Sequence, residues 1–411
     1  MDARVWELGL ERFDPNDVLS HPLFMAFGSG RGRYLAYPLR MWELHAPMLW
    51  RRFLRIRPAL VPTTIFHLGM AHLHLGGIAG ADVEDRLEQL CERALATRLP
   101  GDLAAWGHPY DAHGAVYRER GATPSAPDVP PSCAHHTGRL GMLLLRAGLS
   151  RGRSAWVAAA RSAADALLRY HNWHDEEDGT STVSYYPDTD DEVLNTAAEV
   201  ALLLAAVGAG PDPHPEAADR ATRLVRMLIR EQREDGGWTY TTRRHDEAAG
   251  QASDTDNHHN AMILASLSEL LSEGLLEAEE AAGVRAAVDR GLSYYLDTFC
   301  TPGGFSRELS GTDREAPVAG YAEGVRAMLA VLAALGSERD SATPRIEAQV
   351  VAGLRHALDR FYDPETGDVA SFRLYGATYR IRSIRWGAGL LMEATAEALA
   401  WPRRLPLVAR P

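Results

Sequence analysis

The stretch PDTDD (187–191) runs into Glu192 and then into an apolar segment, so Asp188, Asp190, Asp191 and Glu192 occupy four of five consecutive positions. Carboxylates at a helix N-terminus accept backbone N–H bonds and meet the favourable end of the helix dipole. Four together repel one another, and at least one is expected to hold its proton. A protonated carboxylic acid in an aromatic pocket is a general acid. Similar stretches elsewhere are rich in histidine and aromatics: Trp106, His108, Asp111, His135 and His136; Tyr185 and Tyr186; Trp238 and Tyr240; Asp256, His258 and His259; Tyr321 and Glu323; Arg385 and Trp386. Aromatic faces with titratable groups among them suit a binding and acid–base site.

The elements that must position these residues repeat along the chain. Six segments rich in Ala, Gly and Leu (62–76, 132–148, 192–208, 256–271, 319–336 and 383–400) are apolar on nearly all sides, as buried helices are. Between them, segments 82–98, 153–171, 214–232, 279–299 and 345–362 place apolar residues at i, i+3, i+4 and i+7, the pattern of helices with one exposed face; 33–54 could open the series. Matching inner positions recur roughly 60–66 residues apart. Six hairpins that each bury one helix predict an all-α fold, a single (α/α)6 toroid over residues 1–411 with 1–32 as an N-terminal extension. Gly148, Gly208, Gly274 and Gly336 are expected to end inner helices. The long connections, 99–131, 172–191, 233–255, 300–318 and 363–382, run from outer to inner helices and should emerge at one mouth of the barrel, carrying the residues above.

Bulk properties narrow the chemistry. The formal net charge of −12 argues against a nucleic-acid partner. All the Lys-plus-Arg total is Arg, which excludes Schiff-base catalysis. Cys91, Cys133 and Cys300 are too few and too scattered for a disulfide framework, so a reducing, cytoplasmic setting is expected. No signal pattern opens the chain and no transmembrane segment is read, although MWELHAPMLWRRFLRI could lean on a membrane surface. Oligomeric state is left open.

Two resemblances build on these residues. PDTDD matches the D-x-D-D motif, and QREDGGW (Gln232, Gly236, Trp238) the Q-x-x-x-G-x-W motif, so the chain resembles the terpenoid cyclase and protein prenyltransferase superfamily, squalene–hopene cyclase in particular. That resemblance implies the toroid fold, Asp190 as the acid that protonates an alkene or epoxide, and Asp188 and Asp191 as its support. If Asn195-Thr196-Ala197 is instead the counterpart, Asn195 stands where the acid would be. A wider stretch also looks like an uncharacterised bacterial family of the same toroid, often found in polysaccharide-biosynthesis settings: Trp106 to Asp111, SYYP with Asn195, DGGWTY, and Asp256-Asn257-His258-His259.

The reading favoured by the first resemblance is a terpene cyclase acting on an isoprenoid rather than a sugar. Asp190, Asp188, Asp191, Asn195, Asp256 and His259 are the catalytic candidates, and the remaining mouth residues bind substrate. A carbohydrate-active hydrolase, lyase or epimerase using Asp and His, and a non-catalytic binding toroid, stay open beside it. No cofactor is required, although Mg²⁺ would accompany a diphosphate substrate. A zinc site drawn from Cys133, His135 and His136 with His258 and His259 is the lesser reading.

Overall fold

Small residues decide how the inner helices meet. A Cβ added to Gly141 would lie 2.5 Å from a Leu203 methyl, and one on Gly69 would lie 2.5 Å from Leu143, so each glycine lets a neighbouring leucine fill the gap between helices. The computed structural model describes residues 1–15, 17–18, 21, 46–76, 78, 81–109, 132–187, 189–210, 212–250, 252–335, 343–374, 377–379, 381 and 383–401. Among them are α1 (Asp2–Leu8), α2 (Pro47–Phe53), α3 (Pro62–Leu75), α4 (Ala81–Ala96), α5 (Ala134–Arg151), α6 (Ser154–Tyr170) and α7 (Leu194–Gly208). They continue with α8 (Pro215–Glu231), α9 (Arg243–Ala249), α10 (Asn257–Ser272), α11 (Ala278–Thr298), α12 (Val318–Leu335), α13 (Thr343–Phe361) and α14 (Gly389–Ala400), the last entered through a π-helical turn at Ile384–Ala388.

The inner helices α3, α5, α7, α10, α12 and α14 pack in that order, and α14 returns to α3, closing a ring. The outer helices α4, α6, α8, α11 and α13 each lie against the inner helix before them. The chain is thus a predominantly helical α/α toroid, as its repeat predicts. Helix α8 shows why the outer layer is amphipathic: Ala217, Ala221, Leu224, Val225 and Leu228 are buried on one stripe, while Glu216, Asp219 and Arg226 are exposed. The proposed first outer helix, 33–54, falls mostly outside the described residues, and α2 is the part that is seen. Helix α12 is long and apolar enough to cross a membrane, contrary to the sequence reading, but it is buried within the ring. Helix α5 ends at Gly152, which takes the left-handed conformation, whereas Gly148 sits inside the helix against Val157.

The described parts of the long loops meet at the N-terminal ends of the inner helices, and a repeated backbone bond holds four of those ends. The first N–H of α5 (Ala134) donates to Tyr185 O, that of α7 (Leu194) to Tyr240 O, that of α10 (Asn257) to Glu308 O, and that of α12 (Val318) to Ser371 O. Each of these four inner helices is therefore capped by the loop that precedes the next one. This satisfies orphan donors without a side-chain cap on α5 or α7. Two of the loops carry short antiparallel ribbons, β1 (Trp173–Asp175) with β2 (Ser181–Val183) and β3 (Phe372–Leu374) with β4 (Ala377–Tyr379), which helical periodicity does not reveal.

The Q-x-x-x-G-x-W stretch is a latch for this arrangement. The Trp238 indole N–H donates to Leu228 O in the last turns of α8, and Trp106 and Trp173 make the same bond to Ala94 O of α4 and Leu167 O of α6. Gln232 donates to Gly236 O and Ala287 O, tying the turn to α11. Gly236 has φ +96°, and a Cβ there would lie 2.5 Å from Arg290 O, so only glycine fits.

Candidate active site

The N-terminal ends of α10 and α12, with the π-helical turn, surround a cavity of about 490 Å³. Its walls include Tyr240, Asp254, Asp256, His258, His259, Glu308 and Trp386. Asp256 caps α10, accepting from the His259 backbone N–H at 2.9 Å, and its other oxygen meets His259 Nδ1 at 2.6 Å. The N-cap geometry brings residues i and i+3 together, so one carboxylate both starts the helix and orients the imidazole. Burial pushes the Asp256 carboxyl up, but His259 outweighs it and holds it below the usual carboxylate range. A carboxylate accepting from Nδ1–H leaves the lone pair of an imidazole on Nε2. Tyr240 lies against His259 with ring centroids 4.5 Å apart.

His258 sits 5.5 Å from the Trp386 ring, and burial with the neighbouring His259 pushes its pKa down to about 3, so this imidazole is neutral. Glu308 is the site residue the sequence reading missed. Burial pushes its carboxyl up, Arg314 opposes, and Asp256 adds to the rise. It lies in a glycine-bearing loop with no motif of its own, and only the toroid brings it beside Asp256. The D-N-x-H stretch thus divides its labour. Asp256, His258 and His259 face the cavity. Asn257 bonds Ser306 Oγ at 2.6 Å and Tyr295 OH at 2.9 Å, and Asn260 clasps the Trp238 backbone at 2.8 Å on both sides.

Arg385 continues the mouth toward α5. Its guanidinium lies 4.9 Å over the Trp386 ring and 3.5 Å from Asp14. Beyond it, His108, Cys133 and His136 are buried together, with His136 Nε2 3.2 Å from His108 Nδ1. Tyr185 stacks on His135 and meets Tyr186 edge-on, and Tyr186 lies 6.5 Å from His108. Burial holds His136 well below its ordinary value, helped by His108, and pushes the Cys133 thiol up to about 11.

A charged network forms the floor on the barrel axis. Arg139 donates to Glu199 at 2.5 Å and to Glu323 at 2.9 Å, and its guanidinium touches His67 Nε2 at 3.0 Å. His67 reaches Glu393 at 2.5 Å, while Arg326 pairs with Glu323 at 2.6 Å, Glu393 at 3.0 Å and Glu397 at 3.5 Å. Arg146 and Glu269 close the lower end at 2.6 Å. All six inner helices contribute. A cavity of about 30 Å³ beside Arg139, Arg146, Glu199, Glu269, Glu323 and Arg326 leaves room for roughly one water.

The structure separates the sequence candidates accordingly. Asp256, His258, His259, Tyr240 and Trp386 line the cavity. His135 turns to Glu199 at 2.6 Å, and Glu323 is held by two arginines below the mouth. Of the zinc ligands read with Cys133, His136 lies beside it, whereas His135 is bound to Glu199 and His258 lies beside Trp386. Trp106 and Trp238 are latches buried in the core, and Tyr321 accepts the Ser306 backbone N–H at 3.0 Å and stacks on His356, away from the cavity. Asn195 is buried beside Met262 with its carbonyl oxygen lacking a hydrogen-bond partner. Asp190 is exposed, and α7 begins at Leu194 without a side-chain cap, so Asp190 is not an acid enclosed in a dry pocket. Asp191 is buried and its carbonyl accepts from Tyr185 N at 2.8 Å. Glu192, the fourth acid, binds Thr182, Thr242 and Arg244 and stitches two loops. Asp188 and Asp111 lie outside the described residues.

No family model matches the chain, and no curated protein does. Solved structures do. They include a family 76 glycoside hydrolase α-mannanase of Bacteroides thetaiotaomicron (TM-score 0.57, 11% identity, 82% of this chain and 86% of that one). An unsaturated glucuronyl hydrolase of a Bacillus species, responsible for glycosaminoglycan degradation, matches with TM-score 0.54 and 14% identity over 83% and 86% of the two chains. A sugar epimerase from a ruminal bacterium matches with TM-score 0.58 and 9% identity over 82% and 87%. These neighbours share the toroid and are glycoside hydrolases and a sugar epimerase, not terpenoid cyclases. They overturn the cyclase resemblance read from PDTDD and QREDGGW, and with it the terpene cyclase activity, the natural-product role and the preference for an isoprenoid substrate.

Proposed function

We propose that the chain is a carbohydrate-active enzyme that performs general acid–base chemistry on an oligosaccharide in the cavity at the head of α10. The observation that carries this reading is the Asp256–His259 pair, 2.6 Å apart, set between the aromatic faces of Tyr240 and Trp386. Sugar rings stack on such faces, and an imidazole oriented by a carboxylate gives or takes a proton at a glycosidic oxygen or at a ring carbon. His259 is the acid–base group, Asp256 positions it, and Glu308 is the neighbouring carboxyl that burial keeps inclined to hold a proton. Among the described residues, three carboxyls and no arginine line this cavity. A uronic acid would place like charge among them, so the substrate is a neutral sugar. The structural neighbours support a sugar ligand. One is an α-1,6-mannanase of a Salegentibacter species in complex with α-1,6-mannotriose.

The test incubates the full-length protein with neutral manno- and gluco-oligosaccharides, unsaturated uronyl oligosaccharides and free reducing sugars. Reducing-end release and NMR then distinguish hydrolysis, elimination and epimerisation. His259→Ala is expected to lower turnover of a neutral sugar by about 10²–10⁴-fold, the usual worth of a positioned acid–base group. Asp256→Asn should lower it too, and Asp190→Asn should leave it unchanged. Turnover that survives His259→Ala, or that Asp190→Asn abolishes, would remove the basis of this reading.

A further inference from the structure

The loop before α5 and the first turn of that helix bring three soft donors together, and the mechanism above uses none of them. Cys133 and His136 are fully buried and His108 nearly so, and their ligand atoms all lie within 4.8 Å of one another. The backbone fixes their relative positions. Cys133 N–H donates to Trp106 O at 2.8 Å, and Trp106 N–H donates to Thr137 Oγ1 at 3.1 Å, so the loop carrying His108 is pinned to the helix carrying His136. Cys133 stands at the N-cap but makes no cap hydrogen bond with its side chain. One ring nitrogen of His136, Nδ1, is buried with no hydrogen-bond partner.

The spacing of these donors is compatible with a metal. Two imidazole nitrogens on a tetrahedral zinc at about 2.0–2.1 Å lie about 3.3 Å apart. The facing nitrogens of His108 and His136 are 3.2 Å apart. A zinc–thiolate bond of about 2.3 Å puts sulfur about 3.5 Å from each nitrogen, so donors that already lie within 4.8 Å of one another need to close by no more than about 1.3 Å. Hard-ion sites need several oxygen ligands, and none of these three donors is an oxygen.

We propose that His108, Cys133 and His136 form a zinc site of three protein ligands. The thiolate forms as zinc binds, and its proton leaves to solvent. Three ligands leave a fourth position for water or a substrate oxygen, the arrangement of catalytic rather than closed structural zinc sites. The site lies at the same mouth as the proposed sugar cavity, on the α5 side of Arg385, and its assay does not depend on that activity.

The experiment equilibrates tag-free, full-length protein with zinc alone, removes unbound metal by gel filtration, and measures metal by plasma mass spectrometry. About one zinc per chain is expected for the wild type. Cys133→Ser and His136→Ala should fall to background, and Cys300→Ser, outside the cluster, should keep the metal. Circular dichroism of the same samples establishes that each variant is folded. Cobalt substituted for zinc should add a thiolate-to-metal charge-transfer band that Cys133→Ser lacks. A wild type that retains no zinc, a preference for another metal, or full retention in a folded Cys133→Ser variant would overturn the proposal.

Discussion

Arg139→Met is the sharpest perturbation of the axial network. The Arg139 side chain is almost fully buried, donates to Glu199 at 2.5 Å and to Glu323 at 2.9 Å, touches His67 at 3.0 Å, and lies 5.0 Å over the Phe66 ring. Methionine keeps much of the stem's apolar contact and removes the charge. Glu323 retains Arg326, but Glu199 is left with His135 alone. Breaking a buried pair by deleting one partner costs about 3–5 kcal/mol, most of it the stranded charge. In the wild type, burial raises Glu199 while Arg139 and His135 hold it below the ordinary range. In the variant burial wins, and the folded-state pKa rises above the unfolded one. A group raised in this way favours the fold at low pH and loses that contribution as pH rises through the folded pKa. The penalty is therefore smaller at pH 5 than at pH 8. Urea denaturation followed by circular dichroism at both pH values measures it. Adding Glu199→Gln should recover about 1 kcal/mol or more, because the amide needs no countercharge. A loss below about 1 kcal/mol, a penalty independent of pH, or no recovery in the double variant would refute the claim that this network is held by charge pairing.

Two further outcomes follow from the same geometry. Burial pushes Glu397 up to about 8, above an unfolded carboxyl, so its contribution to stability is present at acid pH and is lost as pH rises toward and past about 8. Glu397→Gln should flatten the wild type's decline in Tm between pH 6 and 9, read by calorimetry. Trp238→Phe removes the indole donor to Leu228 O at 2.9 Å and leaves that carbonyl buried, which should cost about 1–3 kcal/mol in the same urea assay. Trp106→Phe, which breaks the equivalent bond to Ala94 O, should match it. A neutral result for both would mean that these indoles contribute packing alone.

The sequence by itself determined the toroid. The repeat of roughly 60–66 residues, apolar helices alternating with amphipathic ones, and the long outer-to-inner loops are local patterns, and the closed ring is the packing that buries six apolar helices at once. The D-N-x-H histidines and the mouth aromatics Tyr240 and Trp386 were legible for the same reason, since they flank the starts of inner helices. What only the tertiary structure decided is which conspicuous residues reach the cavity. PDTDD and the Gln-Trp stretch stand out in one dimension, yet Asp190 lies in solvent and Trp238 clamps an outer helix, because both tasks demand the residue types that a site would use. Glu308 has no local signature, and its proximity to Asp256 comes from a loop folded across the next hairpin. The axial ions escaped for a subtler reason. One or two charged residues per helix scarcely alter an apolar pattern, and only ring closure brings Arg139, Glu199, Glu323, Arg326 and Glu393 from four different helices within bonding distance.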